Sequence, residues 1–264
     1  MMELVKELSE PVYFQVSFLD QEPHDKQMEV LRSKAKHKVI SCGRRAGKTQ
    51  MIAGEIIRGG VFNLFKRQIV ITPTYKQSLI VYEKIYELYL KSRERNKIPE
   101  YIKWFVKSPR PKITFTNGCI IDFGSADNPH SLRGEAYGRI FLDEAAFLKE
   151  DAMIAIKPMG FDTGAPLWQT STPWGKGQFK EKFEWGTKGV KDYASFHYNY
   201  KDNPYLSKEG VKDINRDIIE YGEDHPYIQS EVYGNFVDDI DSYFKYDLIQ
   251  SIVEDYKQVE GVYP

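Results

Sequence analysis

Lys38-Val39-Ile40-Ser41-Cys42-Gly43-Arg44-Arg45-Ala46-Gly47-Lys48-Thr49 is the stretch on which the fold turns. Lys38–Cys42 has the apolar, β-branched character of a buried strand. From Thr49 to Arg58, Met51, Ile52, Ile56 and Ile57 recur at the spacing of one helical face. Between them lies a loop with glycines at 43 and 47. A strand that runs through a glycine-bearing loop into a helix makes a phosphate cradle. The glycines let backbone N–H groups curl around oxygens, and the helix N-terminus adds its dipole. In that setting Gly43, Arg44, Arg45, Ala46, Gly47, Lys48 and Thr49 are candidate nucleotide-binding residues. Lys48 is placed to reach the terminal phosphates, and the Thr49 hydroxyl to bind Mg²⁺. Cys42 occupies the place where the usual pattern has its first glycine.

Outward from this loop, short apolar runs alternate with amphipathic stretches. Gln68–Thr72 reads as a second strand, stopped by Pro73, and Ser78–Arg93 as a helix. Lys112–Thr116 and Cys119–Phe123 flank Asn117-Gly118 as a hairpin. Arg139–Leu142, Pro166–Thr170 and Tyr193–Tyr200 read as further strands, and Ser207–Tyr221 as a helix. Strands separated by helices predict an α/β fold around a central, mostly parallel sheet. The character changes after Asn203-Pro204, so a core over 1–203 and a small C-terminal subdomain over 204–264 are expected.

Composition narrows the function classes. The 264 residues carry 37 basic and 38 acidic side chains, a formal net charge of -1, so global charge does not point to nucleic acid. Cys42 and Cys119 make neither a disulfide framework nor a zinc site, and the five histidines are scattered. No signal peptide and no membrane-spanning run is legible. Between residues 91 and 112, eight basic side chains stand against two acidic ones, with Tyr101, Trp104 and Phe105 interleaved. That stretch fits either a phosphate-backbone track or a solvated helix face. Trp174-Gly175-Lys176-Gly177 reads as a turn open to DNA or a neighbouring subunit.

A second acidic signal follows a strand: Ile140-Phe141-Leu142-Asp143-Glu144. Parallel strands present their C-terminal ends to a ligand crevice. There Asp143 suits the Mg²⁺ shell, and Glu144 suits orienting or deprotonating an attacking water. Pure binding has no need of Glu144. That argues for turnover over a nucleotide-gated assembly module, while a helicase-like ATPase remains an alternative.

The ordered set of motifs resembles the large terminase subunits of tailed bacteriophages. It comprises Pro23-His24 with Gln27, the loop Cys42–Thr49, Thr72-Pro73-Thr74-Tyr75, Ser131-Leu132-Arg133-Gly134, Leu142-Asp143-Glu144, and Thr170-Ser171-Thr172-Pro173. The resemblance spans roughly residues 20 to 245. It implies a RecA-like P-loop ATPase core, of the class with an additional strand and a catalytic glutamate, followed by a lid subdomain. It implies ATP with Mg²⁺, Gln27 on the adenine side, and Arg44 acting in cis. Arg133 would be an arginine finger supplied in trans, and Thr170, Ser171 and Thr172 would couple hydrolysis to motion. The implied partners are double-stranded DNA, a homo-oligomeric ring, a portal protein and a small terminase subunit. The implied place is the host cytoplasm, docked at the procapsid portal and absent from the mature virion. The family's C-terminal nuclease is not expected within this sequence.

Overall fold

The computed structural model describes residues 7–127, 134–175 and 177–237. Its centre is one eight-stranded sheet: β1 His37–Cys42, β2 Arg67–Thr72, β3 Ile102–Val106, β4 Lys112–Phe115, β5 Ile120–Ser125, β6 Arg139–Asp143, β7 Leu167–Ser171 and β8 Tyr193–Tyr198. The main helices are α1 Asp25–Arg32, α2 Lys48–Val61, α3 Tyr75–Asn96, α4 Glu150–Ile156, α5 Gln178–Thr187 and α6 Lys208–Tyr221. The strand order is β3-β4-β5-β2-β6-β7-β1-β8. All pairings from β5 across to β8 are parallel, and the β3–β4–β5 end is antiparallel.

Strand alternation decides which helix covers which face. Ile40, Val70, Phe141 and Trp168 point to one side, where Met51, Ile52 and Ile56 of α2 and Val81 and Ile85 of α3 close over them. Val39, Ile69, Ile71, Ile140 and Leu142 point to the other, against Met153 and Ile156 of α4 and Phe179 of α5. Apolar residues at successive positions therefore all find cover, as expected of parallel strands buried on both faces. The expected α/β architecture is present, and β7 inserted between β1 and β6 is the additional strand.

Several elements differ from their sequence reading. The helix expected over 78–93 begins at Tyr75, because Thr74 and Gln77 form a reciprocal cap. Gln77 Oε1 accepts the Thr74 N–H at 3.0 Å, and Thr74 Oγ1 accepts the Gln77 N–H at 3.4 Å. The hairpin forms as read, with Asn117 Oδ1 accepting the Cys119 N–H at 3.0 Å and Gly118 at φ +87°. The basic stretch 91–112 is not one helix face. It holds the end of α3 and the edge strand β3. Tyr101 and Phe105 pack on Tyr89 at 4.9 and 5.1 Å. Several of its cations are engaged: Lys91 and Arg95 with Asp20, Arg93 with Glu100, Lys107 with Glu83 and Lys112 with Asp122. Trp104 stays exposed.

Two charged residues at strand starts, Lys38 and Arg139, are buried. Arg139 Nη1 lies 2.8 Å from Glu55 Oε1, and Arg58 adds a second pairing to the same carboxylate, tying β6 to α2. Lys38 donates to the Val30 carbonyl at 2.6 Å and sits 4.1 Å over the Trp168 ring. Beyond Asn203, α6 buries none of its residues, and the chain then returns to the phosphate loop through a turn of π-helix at Ile228–Val232.

Candidate functional site

The loop 43–47 leaves the C-terminal end of β1 and feeds α2, whose first residue is Lys48. The two loop glycines are required for different reasons. Gly47 sits at φ +84°, the left-handed region that penalises any Cβ, and a Cβ there would come within 2.6 Å of Gln27 Nε2. Gly43 has no such backbone demand. A Cβ on it would run into Val232, 2.8 Å from its carbonyl carbon and overlapping its oxygen. Gly43 is thus a point of close backbone approach. Cys42, in the place of the usual first glycine, is the fully buried last residue of β1, and burial pushes its thiol up to about 12. A side chain fits there because the strand continues through this position and the turn starts after it.

Strand β6 delivers Asp143 and Glu144 beside the loop. Thr49 Oγ1 donates to Asp143 Oδ2 at 3.2 Å, and Lys48 Nζ lies 2.9 Å from Glu144 Oε1. Glu144 adopts the left-handed conformation at φ 57°, which turns the chain out of the strand and into a short 3-10 segment. Strand β7 lies next to β6 and supplies hydroxyls. Thr170 Oγ1 donates to Asp143 Oδ1 at 2.7 Å, and Ser171 Oγ to Glu144 Oε2 at 3.3 Å. The inserted strand therefore orients both carboxylates.

Electrostatics follow from this crowding. Burial first, and the Glu144 charge second, raise the Asp143 pKa against the opposing pull of Lys48, Thr170 and Thr49. Burial works against the Lys48 charge, yet Cys42, Glu144 and Asp143 overcome it and hold the ammonium above its ordinary pKa. A buried carboxylate short of counter-charge, with a threonine hydroxyl 3.2 Å away, is a hard-oxygen donor pair that fits Mg²⁺.

The remaining expected residues fall as follows. Gln27 is buried, and its amide turns to the loop: Nε2 donates to the Gly47 carbonyl at 2.9 Å, while Oε1 accepts the His24 N–H at 3.1 Å. His24 Nε2 lies 3.1 Å from the Ala46 carbonyl. The Arg45 carbonyl accepts from Asn203 at 2.7 Å. Arg44 pairs with Glu231, and Thr172 Oγ1 donates to Glu231 Oε1 at 3.3 Å. Arg133 lies outside the described residues. Trp174 packs at a tilt against Phe147, 5.7 Å between ring centres. Sequence reading missed Glu231, which belongs to no motif and meets the loop only through the fold. His24 was noted as part of a motif, but its contact with Ala46 was not foreseen.

Comparison with known proteins gives one consistent result. A family model described as "Terminase large subunit, T4likevirus-type, N-terminal" matches residues 39–251. A terminase large subunit of Thermus phage G20c is 31% identical over 192 residues, covering 65% of this chain and 38% of that protein. The chain thus spans well under half the length of that relative. The large terminase ATPase domain of Thermus phage P74-26 superposes with a TM-score of 0.68 at 23% identity, over 86% of this chain and 99% of that one. A large terminase from another thermophilic bacteriophage, in complex with ADP, superposes at 0.58 with 18% identity, over 81% of this chain and 53% of that one.

Proposed function

The chain belongs to the terminase large subunit family, and we propose that it is an ATP-hydrolysing motor domain that drives double-stranded DNA into a procapsid. One observation carries the reading: Lys48 and Thr49 at the start of α2 meet Asp143 and Glu144 at the end of β6, within 3.2 Å. The large terminase solved in complex with ADP supports nucleotide as the ligand.

The roles follow from the chemistry. N–H groups of the loop 43–49 cradle the phosphates and Lys48 neutralises their terminal charge. Thr49 and Asp143 would hold Mg²⁺, which supplies charge neutralisation across the terminal phosphates. When phosphate draws Lys48 away, Glu144 is freed to orient and deprotonate water, with Ser171 steering its second oxygen. Arg44 stabilises charge in cis and Arg133 in trans from a neighbouring subunit. Gln27 contributes by fixing the loop under the nucleotide. Thr170, Ser171 and Thr172 link Asp143 and Glu144 to Glu231 in the C-terminal segment, a physical route for coupling. Residues 204–264 comprise a lid subdomain and the start of a linker. The working partners are double-stranded DNA, a ring of identical subunits, a portal protein and a small terminase subunit. The place of action is the host cytoplasm at the procapsid portal. Among the described residues no helix is long and apolar enough to cross a membrane.

ATP turnover with and without double-stranded DNA, beside Lys48→Ala, tests the reading. Turnover that DNA stimulates and Lys48→Ala abolishes is expected. ATP binding with no turnover at ring-forming concentration would favour a nucleotide-gated assembly module and sink the motor assignment. Mixing Arg133→Ala with Glu144→Ala subunits should restore part of the turnover, and no rescue within an assembled ring refutes the trans role.

A further inference from the structure

A cavity of about 440 Å³ opens at the N-terminal ends of β1, β6, β7 and β8, between the sheet and α4, residues 157–165 and α5. The phosphate loop leaves the other end of β1, so this recess is separate from the nucleotide site. Its wall is apolar, with Ile140, Met153, Ile156, Leu167 and Trp185 lining it. Tyr193 and Phe161 add two further rings, and Phe161 is 71% exposed. Two kinds of polar group interrupt that wall. Gln169 lies two residues into β7 and is 2% exposed, yet its side-chain amide makes no hydrogen bond among the described residues. A buried amide is costly to leave unpaired, and a partner within the cavity removes that cost. Lys36, Lys157 and Lys182 line the same cavity, and among the described residues no carboxylate does. Lys182 is already engaged, 3.0 Å from Glu181 Oε1 and 3.1 Å from the centre of the Trp185 ring. Lys36 and Lys157, nearer solvent, have no ion pair among the described residues. The recess thus has an unpaired amide at its inner end, rings along its side and unpaired cations at its rim. Its volume is that of a small-molecule pocket.

We propose that this cavity binds a small aromatic carboxylate, with a polar group at its inner edge on the Gln169 amide and its carboxylate at Lys36 and Lys157. Burial of the ring against Ile140, Met153, Ile156 and Leu167 supplies the driving force, and offset packing on Trp185 favours an aromatic over an aliphatic body. The amide and the lysines fix which way round the ligand lies. The site stands whether or not the chain hydrolyses ATP.

The test is calorimetric titration of the full chain with 6-hydroxy-2-naphthoate. Beside it run 2-naphthoate, which lacks the hydroxyl, and 2-naphthol, which lacks the anion. One-to-one binding is expected, with each truncated probe bound about three- to ten-fold more weakly. Gln169→Leu keeps the bulk and removes the amide. It should erase the preference for the hydroxyl and leave thermal stability equal or higher, whereas replacing a merely structural glutamine would lower it. Lys36→Gln combined with Lys157→Gln should erase the preference for the carboxylate. Saturating Mg²⁺-ATPγS should leave the probe in place. Displacement would put the probe in the nucleotide site, overturning the proposal while leaving the ATPase reading intact. If Gln169→Leu folds poorly, the three probes on the parent chain and the lysine variant decide. Binding that is absent up to millimolar probe, or that does not fall with each truncation, overturns the proposal.

Discussion

Gly43→Ala isolates the seat of the C-terminal segment on the phosphate loop. The substitution is not opposed by the backbone, since Gly43 lies outside the left-handed region. Its cost comes from the new methyl, which would overlap the Val232 carbonyl oxygen and lie 2.8 Å from its carbon and 3.3 Å from the Glu231 oxygen. Gly234 closes the contact from the other side, where a Cβ would be 2.6 Å from the Gly43 nitrogen. Both surfaces are backbone, so neither can swing aside as a side chain would. Relief requires the two segments to part by about an ångström, the usual response to overpacking. That breaks the 2.6 Å bond from Arg44 N–H to the Glu231 carbonyl and lengthens the 2.9 Å bond from Ser41 to Gly234. Net hydrogen-bond losses of about 1 kcal/mol each, plus a stranded carbonyl, give a destabilisation of roughly 2–4 kcal/mol. Urea unfolding followed by tryptophan fluorescence measures it. Hydrogen exchange at 228–234 should show the segment detached while the sheet stays protected. A loss below about 0.5 kcal/mol, the range of an ordinary surface change, would falsify the close approach.

Other outcomes follow from the same geometry. Glu55 is held down at about 2 from an ordinary 4.5, with burial the largest influence but outweighed by Arg139 and Arg58. A depressed folded pKa gives stability that is present above pH 4.5 and lost as pH falls toward 2. Acid titration of stability should lose on the order of 3 kcal/mol across that window, and Glu55→Gln should flatten it, as read from urea midpoints. Glu144→Gln should keep Mg²⁺-ATPγS binding and lower turnover by on the order of a hundred-fold or more, the scale of a lost general base. Retained turnover would remove Glu144 from the chemistry. Gln27→Ala strands the Gly47 carbonyl and the His24 N–H. It should lower stability by about 1–3 kcal/mol and weaken ATP and ADP alike, whereas weakening confined to adenine nucleotides over guanine ones would mean that Gln27 reads the base.

Strand and helix patterns along the chain predicted the α/β class, and residues 38–58 and 140–144 named the side chains that the fold gathers at the end of β6. Strand and helix periodicity and phosphate chemistry are local properties of the chain, and such properties survive in a linear reading. Tertiary structure decided what local rules cannot carry. Arg139 opens an apolar strand, and it is Glu55, 84 residues away, that lets it be buried. The 91–112 stretch fitted either a phosphate track or a helix face in the sequence, and the fold divides it between a helix end and an edge strand, with ion pairs and ring packing along it. The resemblance put Gln27 on the adenine side, and the contact of its amide with the Gly47 carbonyl is visible only in the fold. Glu231 carried no signal at all, because its meaning lies in contacts to Arg44, 187 positions away, and to Thr172, 59 positions away. A motif records the chemistry that a few neighbouring residues can do. Which charges are buried, and which segment holds the loop, depend on chain crossings whose partners lie too far apart in sequence to leave a periodic trace.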